Sequence, residues 1–481
     1  MRLSQFSLTA KPETFRALSQ RLTEIGYEEA AVTKAIGRWD ISEMQGQEYP
    51  SYIWRCKQDD SKLSQAISFF LMSGSLSPEA LNELIGESVV EDLCKSYLIL
   101  KYQGTLIFAL VLYPCLGQFI FTDQWVSTGS QAPGKIYELG TDSYVLARVT
   151  PRQNVKRALD LCTGSGVHAI FSALSGAETQ AVDINPRAKL FTELNAQMNG
   201  VTCQTHLGDL YEPVSGQTFD LITANPPFVP SPDPKVLVHR STGENGEEVP
   251  RRLVSGLPEH LEKGGLFSMV LDYPKYEDDT YLDRLESWIG QDRGWGIAVL
   301  DFNEKTVANY VITHTSGVPN EEYNQVFEQY LESYKRMGIE AMCFAHVFIL
   351  RLEEDIPNWK VSQATPWPNI NFAPQMSNWL ECLVKYHSEI WEPDPQWKPK
   401  LSENYKSVWR DWDKERGALE LAPDNWLNPD FLDADETEFL FRIKNGTETI
   451  ESLKVTWRQD GRSDESFEKT LRELILKRTL A

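Results

Sequence analysis

The chain has 481 residues, of which 41% are hydrophobic and 24% charged, a composition typical of globular proteins with two or three domains. Its net charge of −22 disfavours a nucleic-acid partner and favours a protein, peptide or small-molecule substrate. The seven cysteines form no C-x-x-C pair, and no segment reads as a signal peptide or a membrane span, so we expect no metal, no disulfides, no membrane contact and a cytoplasmic location.

Residues 1–120 are predicted to form a first domain. Helices are predicted at 11–25, 61–72 and 89–97, another helix begins at Ser77-Pro78, and strands are predicted at 98–102 and 106–112. Helix, turn, helix and β-wing in this order suggest a winged-helix-like unit. Such units usually bind DNA, but the acidity of the chain favours a role in packing or in shaping a substrate site.

Residues 121–355 are predicted to form the second domain, which begins with a strand and a glycine-rich turn. Ala158–Cys162 reads as a buried strand, and Thr163-Gly-Ser-Gly166 follows as a turn before a helix. Glycine there lets the backbone approach a ligand closely. Upstream, the segment 137–144 either covers this ligand or is only a helix start capped at Asp142 or Ser143.

Two carboxylates follow the next two predicted strands. Asp183 ends an apolar run about 20 residues beyond the glycine turn, where a carboxylate can hold both hydroxyls of a ribose. Asp209 follows a third strand and could accept a hydrogen bond from an adenine amino group. The spacing therefore indicates a nucleoside-containing cofactor at one edge of a parallel sheet.

The most informative segment is Asn225-Pro-Pro-Phe228, which follows the apolar run Phe219–Ala224. The Asn225 carbonyl can accept a hydrogen bond from a target N–H group. The two prolines fix φ and remove backbone donors, and the Phe228 ring can stack on a planar amide or base. Taken alone, the segment is equally well explained as a proline-rich turn.

Together these motifs resemble the class I S-adenosylmethionine (SAM) methyltransferases, in the HemK-like branch with Asn-Pro-Pro-Phe that methylates amide or exocyclic nitrogens. The resemblance covers about Tyr137 to Leu352 and implies a Rossmann-like α/β domain with a seven-stranded sheet. It implies catalytic roles for Asn225, Pro226, Pro227 and Phe228. The SAM-binding residues that it implies are Asp160, Cys162, Thr163, Gly164, Gly166, Asp183, Ile184, Asp209, Leu210 and Asn225. Cys162 departs from the family, which usually has glycine there.

The segment Gly164–Ala169 also fits the dinucleotide fingerprint G-x-G-x-x-A. A nicotinamide dehydrogenase would give no reason for Asp160 before the turn or for Asn225-Pro-Pro-Phe228 after the fourth strand. Methyl transfer is therefore the preferred interpretation.

Two further regions are predicted on the C-terminal side of Phe228. Residues 229–249 are rich in proline, glycine and charge and read as a substrate-facing loop, in which His239 is a candidate contact. Residues 356–481 are predicted to form a third, α+β domain, which holds nine of the 14 tryptophans. We expect those rings to build a small core, with peptide recognition as the alternative. The three-part arrangement is similar to that of a bacterial group of methyltransferases.

The sequence thus predicts a SAM-dependent N-methyltransferase acting on an amide or exocyclic amine of a protein, peptide or small molecule. The alternative is an RNA or DNA base methyltransferase, of the N6-adenine or N2-guanine type, whose winged unit binds nucleic acid. A SAM-binding regulator without catalysis is a third possibility, but the complete Asn225-Pro-Pro-Phe228 segment argues against it. His168 lies on the helix after the glycine turn and is expected to be structural.

Overall fold

A single large sheet organises the centre of the computed structural model. The described residues are 10–44, 48–124, 134–230, 245–290, 293–315, 318, 320–387, 393–401, 405–411, 416–421, 431–443 and 446–476. The strands of the sheet, in chain order, are β1 (Arg157–Leu161), β2 (Glu178–Asp183), β3 (Gln204–Leu207), β4 (Phe219–Ala224), β5 (Leu261–Lys275), β6 (Trp295–Thr306), β7 (Ala341–Arg351) and β8 (Trp359–Ala364).

The spatial order of these strands is β8-β6-β7-β5-β4-β1-β2-β3. Neighbours from β5 to β3 pair in parallel, whereas β7 pairs antiparallel with both β5 and β6. The Rossmann-like fold with closing antiparallel strands is therefore confirmed. The sheet has one strand more than the seven expected, because β8 pairs in parallel with β6 beyond the predicted domain boundary at residue 356.

Helices cover both faces of the sheet because its central strands are buried and apolar. They are Thr141–Val149, Val167–Leu174, Pro186–Met198, Glu248–Ser255, Leu257–His260, Tyr281–Ile289, Val307–Thr315, Tyr323–Arg336 and Ala373–His387. The last of these packs through Met376, Trp379 and Leu383 on the same core as Val270 and Phe348 of the sheet. The methyltransferase-like core thus continues to residue 387.

The N-terminal unit contains six α-helices among the described residues: Pro12–Ile25, Glu29–Ile36, Tyr49–Cys56, Lys62–Ala66, Pro78–Ile85 and Glu87–Lys95. A small sheet joins strands Ser75–Leu76, Thr105–Phe108 and Ile99–Tyr102. The second predicted wing strand ends at Phe108 rather than residue 112, and Val111–Cys115 forms a separate hairpin with Gln118–Thr122. This hairpin spans the predicted boundary at residue 120.

Two asparagines fasten this hairpin to the helix Pro186–Met198. Asn195 accepts from the backbone N–H of Phe121 at 2.7 Å and donates to its carbonyl oxygen at 3.0 Å. Asn199 binds Phe119 in the same way, at 3.1 and 2.9 Å. The Asn195 amide also donates to the Ser165 carbonyl, 2.7 Å away in the glycine turn. The hairpin is therefore tied to the loop that the sequence assigns to a cofactor.

Arg148 provides a second connection between the N-terminal unit and the sheet. Its guanidinium is 1% exposed and donates to Asp40 at 2.6 Å, to Glu29 at 2.8 Å and to the Pro368 carbonyl at 3.1 Å. Asp40 and Glu29 belong to the N-terminal unit, and Arg148 lies on the helix Thr141–Val149. One buried cation therefore holds three parts of the chain together.

The C-terminal unit has its own small core. It contains strands Tyr405–Asp411, Arg416–Leu421 and Phe431–Leu432 and helices Ala434–Arg442, Ile450–Gln459 and Asp464–Leu476. Trp457 lies at the centre, with its ring centroid 6.1 Å from that of Phe439 and 5.7 Å from that of Phe467. Trp359 and Trp379 instead pack in the core of the large sheet. Among the described residues, no helix has both the length and the apolarity needed to cross a membrane.

Candidate functional site

A cavity of about 910 Å³ opens at the carboxyl ends of the parallel strands. This is the edge at which open α/β sheets bind ligands. One half is lined by residues that follow β1, β2 and β3, and the other half by residues of β5, β6 and β7, with Asn225 after β4 between them. The cavity is large enough for a nucleoside cofactor together with part of a second ligand.

The glycine turn after β1 forms the wall of the first half. Cys162 has φ of 55°, Gly164 of 53° and Gly166 of 82°, so three residues of one short loop occupy the left-handed region. Glycine adopts this region without steric cost, but Cys162 does not, which explains why this family usually has glycine there. A Cβ on Gly166 would lie 2.7 Å from the Thr192 side chain, so this position requires glycine.

Asp183 lies beside this turn, where it holds the loop and faces the cavity. Its carboxylate accepts from the backbone N–H groups of Gly164 at 2.9 Å and Asn185 at 2.8 Å. Burial raises the pKa of the carboxyl, and these N–H groups oppose the shift. Next to it, the apolar side chain of Ile184 is 55% exposed and lines the cavity. A carboxylate beside an exposed apolar surface suits a ribose joined to a flat base.

Asp209 and Leu210 line the far end of the same half of the cavity. The Asp209 carboxylate forms an ion pair of 2.7 Å with Arg252 of the helix Glu248–Ser255, and both side chains are about two-fifths exposed. Leu210 has φ of 48° and, like Cys162, is a non-glycine residue of the cavity wall in the left-handed region. Such conformations concentrate at ligand sites, where the surrounding structure maintains the strain.

Asn225 lies where the two halves of the cavity meet. Its side-chain N–H groups donate to the Asp142 carboxylate at 3.0 Å and to the Ser143 hydroxyl at 3.4 Å. These bonds fix the orientation of the amide and leave its carbonyl oxygen for a ligand. Asp142 and Ser143 belong to the segment 137–144, which borders the cavity. A helix also starts there, but its N-cap is Gly140 without a side-chain cap, so the predicted cap at Asp142 or Ser143 is wrong.

Pro226, Pro227 and Phe228 follow Asn225 along the cavity wall. Gly246 packs so closely on the Phe228 backbone, with φ of 78°, that any side chain there would overlap the Phe228 carbonyl. The loop that separates these two residues includes His239, which lies outside the described residues, and the loop's substrate-facing role stays a prediction.

Two predicted cofactor residues, Asp160 and Gly166, are not part of the cavity wall. Asp160 is 1% exposed beneath the turn and accepts from the hydroxyls of Thr163 and Thr223. Burial raises its pKa to about 6, and the two hydroxyl bonds oppose the shift. Both residues shape the loop from behind. The other eight predicted cofactor residues line the cavity.

His168, expected to be structural, is buried and borders the cavity, and no hydrogen-bond partner of its ring is found among the described residues.

Sequence reasoning missed several residues that line the second half of the cavity. They are Asp272, Asn303, Lys305, Phe344 and Trp367. A polar residue at the carboxyl end of the apolar run Phe267–Leu271 was the one available signal, and it points to Asp272.

Comparison with known proteins assigns the fold and site to a family. The profile of the methyltransferase small domain matches residues 137–285. A protein of Methanocaldococcus jannaschii, provisionally named a protein N5-glutamine methyltransferase, is 34% identical over 152 residues, which are 30% of this chain and 77% of the relative. The chain belongs to the class I methyltransferases with a small methyltransferase domain.

Two longer relatives also match this methyltransferase. The release factor glutamine methyltransferase of Gloeobacter violaceus is 32% identical over 127 residues, 24% of this chain and 44% of the relative. The ribosomal protein uL3 glutamine methyltransferase of Bradyrhizobium diazoefficiens is 36% identical over 151 residues, which are 28% of this chain and 47% of the relative. The methyltransferase thus spans less than half the length of these two relatives. SAM is the cofactor of the family.

Proposed function

We propose that the protein transfers the methyl group of SAM to the side-chain amide nitrogen of glutamine in a protein. The observation that carries the proposal is the fixed amide of Asn225. Because Asp142 and Ser143 hold its N–H groups, the carbonyl oxygen can accept a hydrogen bond from a target amide. Two of the matched relatives are named for glutamine methylation of a release factor and of a ribosomal protein, which supports a protein acceptor.

The first half of the cavity would hold SAM. Asp183 would accept from the ribose hydroxyls, and Ile184 and Leu210 would pack against adenine. Asp209 would accept from the adenine amino group beside Arg252. Bound in this way, SAM supplies an activated methyl group with its own leaving group. The exposed apolar side chain of Ile184 and the close backbone approach at Gly164 fit such a ligand.

The residues of the chain would act on the acceptor by orienting it. An amide nitrogen is a weak nucleophile because its lone pair is delocalised. The carbonyls of Asn225 and Pro226 would draw its N–H bonds into a geometry that directs the lone pair at the methyl group and stabilises the developing positive charge. The Phe228 ring would stack on the amide plane. The proton can leave to water, so no separate base is assigned.

The N-terminal unit gives little support to a nucleic-acid substrate. In a winged helix the second helix of the pair reads DNA. Here the corresponding helix, Glu87–Lys95, carries three carboxylates, and Asp92 is bound by the Lys11 backbone N–H at 3.0 Å and the Thr14 hydroxyl at 2.7 Å. The start of the helix Pro12–Ile25 therefore packs against the helix Glu87–Lys95. A cytoplasmic location is part of the same proposal.

Transfer of labelled methyl groups tests the proposal. The purified protein is incubated with methyl-labelled SAM and a bacterial lysate, which is then divided into protein, RNA and small-molecule fractions. We expect protease-sensitive label that peptide mass spectrometry places on glutamine. Label that ribonuclease or deoxyribonuclease releases would overturn the proposal in favour of base methylation, and label confined to small molecules would also exclude a protein acceptor.

A further inference from the structure

The half of the cavity beyond Asn225 contains a row of side chains from three adjacent strands. Asp272 of β5 pairs in register with Phe344 of β7, which pairs in register with Asn303 of β6. Residues paired across strands point to the same face of a sheet. Lys305, two residues beyond Asn303, shares that face, and all four residues line the cavity.

A β-bulge in β6 creates this arrangement. Asp301 pairs with Ala345, but the next paired residue, Asn303, is opposite Phe344, so Phe302 is an extra residue. A slip of one residue exchanges the two faces of a strand. The bulge therefore turns Asn303 and Lys305 toward the cavity and directs Glu304 to the other face, where it forms an ion pair of 2.6 Å with Lys275.

Opposite charges face each other across this half of the cavity without forming an ion pair. The half-buried Asp272 carboxylate accepts from the Tyr310 hydroxyl at 3.0 Å. Burial raises the pKa of Asp272 to about 6, and the Lys305 charge opposes the shift. Within the described part of the chain, no carboxylate lies within 4.0 Å of the Lys305 ammonium. In the row of strand residues Phe344 lies between Asp272 and Asn303, and the Trp367 ring is edge-on to the Phe344 ring at a centroid distance of 6.3 Å.

Separated charges of opposite sign bind a group that has a donor at one end and an acceptor at the other. A ligand that carried only an ammonium group would be repelled by Lys305, and a ligand that carried only a carboxylate would be repelled by Asp272. Because Met269 pairs with Ala224, Asp272 lies about two residues farther along the sheet than Asn225, or roughly 7–8 Å away in the neighbouring strand. A glutamine side chain together with a hydrogen bond at its amide and another at its main chain can span a separation of this order.

We infer that Asp272 and Lys305 bind the main-chain groups of the acceptor glutamine, the nitrogen at Asp272 and the carbonyl oxygen at Lys305. The side-chain methylenes would lie on Phe344 and Trp367, and the side-chain amide would reach Asn225. This inference rests on the proposed function. The same chemistry is presented by a glutamine residue in a peptide and by free glutamine, whose α-ammonium and α-carboxylate replace the peptide groups.

Three amide probes distinguish binding of the main-chain groups by Asp272 and Lys305 from a general contribution of these residues to methyl transfer. Acetyl-glutamine N-methylamide carries peptide groups, free L-glutamine carries charged groups, and butyramide has the same side-chain amide with no main chain. Methyl transfer is measured for the wild type, for Asp272→Asn and for Lys305→Met. Lys275→Met and Glu304→Gln serve as controls, since they break an ion pair on the opposite face of the same strands.

We expect kcat/KM for the capped glutamine to fall about tenfold or more in Asp272→Asn and Lys305→Met, while kcat/KM for butyramide and the Kd for SAM stay unchanged. The controls should match the wild type. Lowering the pH through about 6 should reduce kcat/KM for the capped glutamine in the wild type but not in Asp272→Asn. A preference for the capped form over free L-glutamine would identify a peptide acceptor, and the reverse would identify the free amino acid.

Two results would overturn the inference alone: equal kcat/KM for capped glutamine and butyramide in the wild type, or variants that lose both probes in the same proportion. A loss of both probes would indicate a structural role for Asp272 and Lys305. If the wild type transfers no methyl group to any of the three amides, the proposed function is wrong together with this inference.

Discussion

At the scale of single residues, Asn225 is useful because its amide can take only one orientation. Its donors are occupied by Asp142 and Ser143, and its carbonyl is left for the target. Replacement by alanine should reduce turnover by roughly 10²–10³, the scale for one preorganised polar group at a transition state. The Kd for SAM should change only a few-fold. Parallel SAM titration and methyl-transfer assays measure both quantities.

Asp142→Asn is the matched control for Asn225→Ala. An asparagine at position 142 still offers an oxygen to the Asn225 amide, so turnover should remain much closer to that of the wild type. A folded Asn225→Ala enzyme with near-normal turnover would contradict the proposed orientation of the acceptor. A lowered melting temperature with unchanged rate would support the turn interpretation instead.

The buried Asp160 carboxyl predicts a stability that depends on pH. Its native pKa of about 6 lies above the value of about 3.9 for an unfolded aspartate. The folded state thus keeps a proton that the unfolded state releases, so this contribution is fully present below about pH 4 and is lost as pH rises through 6. Its size is on the order of 3 kcal/mol.

Asp160→Asn should abolish this pH dependence. The difference in the free energy of unfolding, variant minus wild type, should become more positive by up to about 3 kcal/mol as the pH rises from 4 to 7.5. Urea unfolding at the two pH values measures the change. A difference between the two proteins that stays constant with pH would show that Asp160 ionises normally in the folded protein.

At the scale of elements, the two glycines of the turn have different roles: Gly166 is structural and Gly164 faces the ligand cavity. A Cβ at Gly166 would overlap Thr192, whereas the nearest atom to a Cβ at Gly164 is the Cys162 carbonyl oxygen at 4.0 Å. Gly166→Ala should therefore destabilise the protein by at least 1–3 kcal/mol. Gly164→Ala should be less destabilising but should weaken SAM binding, because Gly164 lines the cavity.

Thermal melting and SAM titration of these two variants give the comparison. Equal losses of stability in Gly164→Ala and Gly166→Ala would contradict the contact with Thr192. Unchanged SAM affinity in Gly164→Ala would place the cofactor away from the turn.

The sequence could locate eight of the ten residues assigned to SAM at the cavity, because most of them lie at or just beyond the carboxyl end of a strand. The strand-end positions of Asp183, Asp209 and Asn225 can be recognised from local spacing. The acceptor half could not be predicted in this way. Lys305 reaches the cavity only through the bulge at Phe302 and the antiparallel placement of β7 between β5 and β6, and both depend on pairing between distant segments.

The ends of β5 and the presence of β8 were missed for related reasons. In the sequence only the apolar centre of β5, residues 266–271, reads as a strand, but pairing with β7 extends the strand to Lys275 through Tyr273 and Pro274. Trp359–Ala364 alternates between polar and apolar residues in a region rich in proline and tryptophan. Its strand conformation is fixed by β6, which offers an open edge for pairing.

At the scale of the whole molecule, Arg148 connects the N-terminal unit to the helix whose first residues border the cavity. It lies on the helix that begins with Asp142 and binds Asp40 and Glu29 in the N-terminal unit. Asp40→Ala should cost about 3–5 kcal/mol, because it leaves a buried guanidinium partly unpaired. Turnover should fall as well, since this helix positions Asn225.

The double variant Asp40→Leu/Arg148→Met is the informative comparison. Removing both charges should cost less than the single change at Asp40, because no buried guanidinium is left without Asp40, and the Glu29 carboxylate that loses Arg148 is 20% exposed. Urea unfolding of the wild type, Asp40→Leu, Arg148→Met and the double variant gives the coupling free energy. Strictly additive effects would show that the ion pair does not hold the two units together.

The asparagine contacts to the hairpin also restrict how the chain can be divided or altered. Four helical residues advance 6.0 Å and two strand residues about 6.7 Å, so Asn195 and Asn199 match Phe121 and Phe119 only while both spacings are intact. A one-residue insertion or deletion between either pair would break the match, and length changes should be tolerated only outside these segments. A truncation at residue 120 would cut the hairpin strand between its two anchored residues, so a separately expressed catalytic fragment has to begin before Val111.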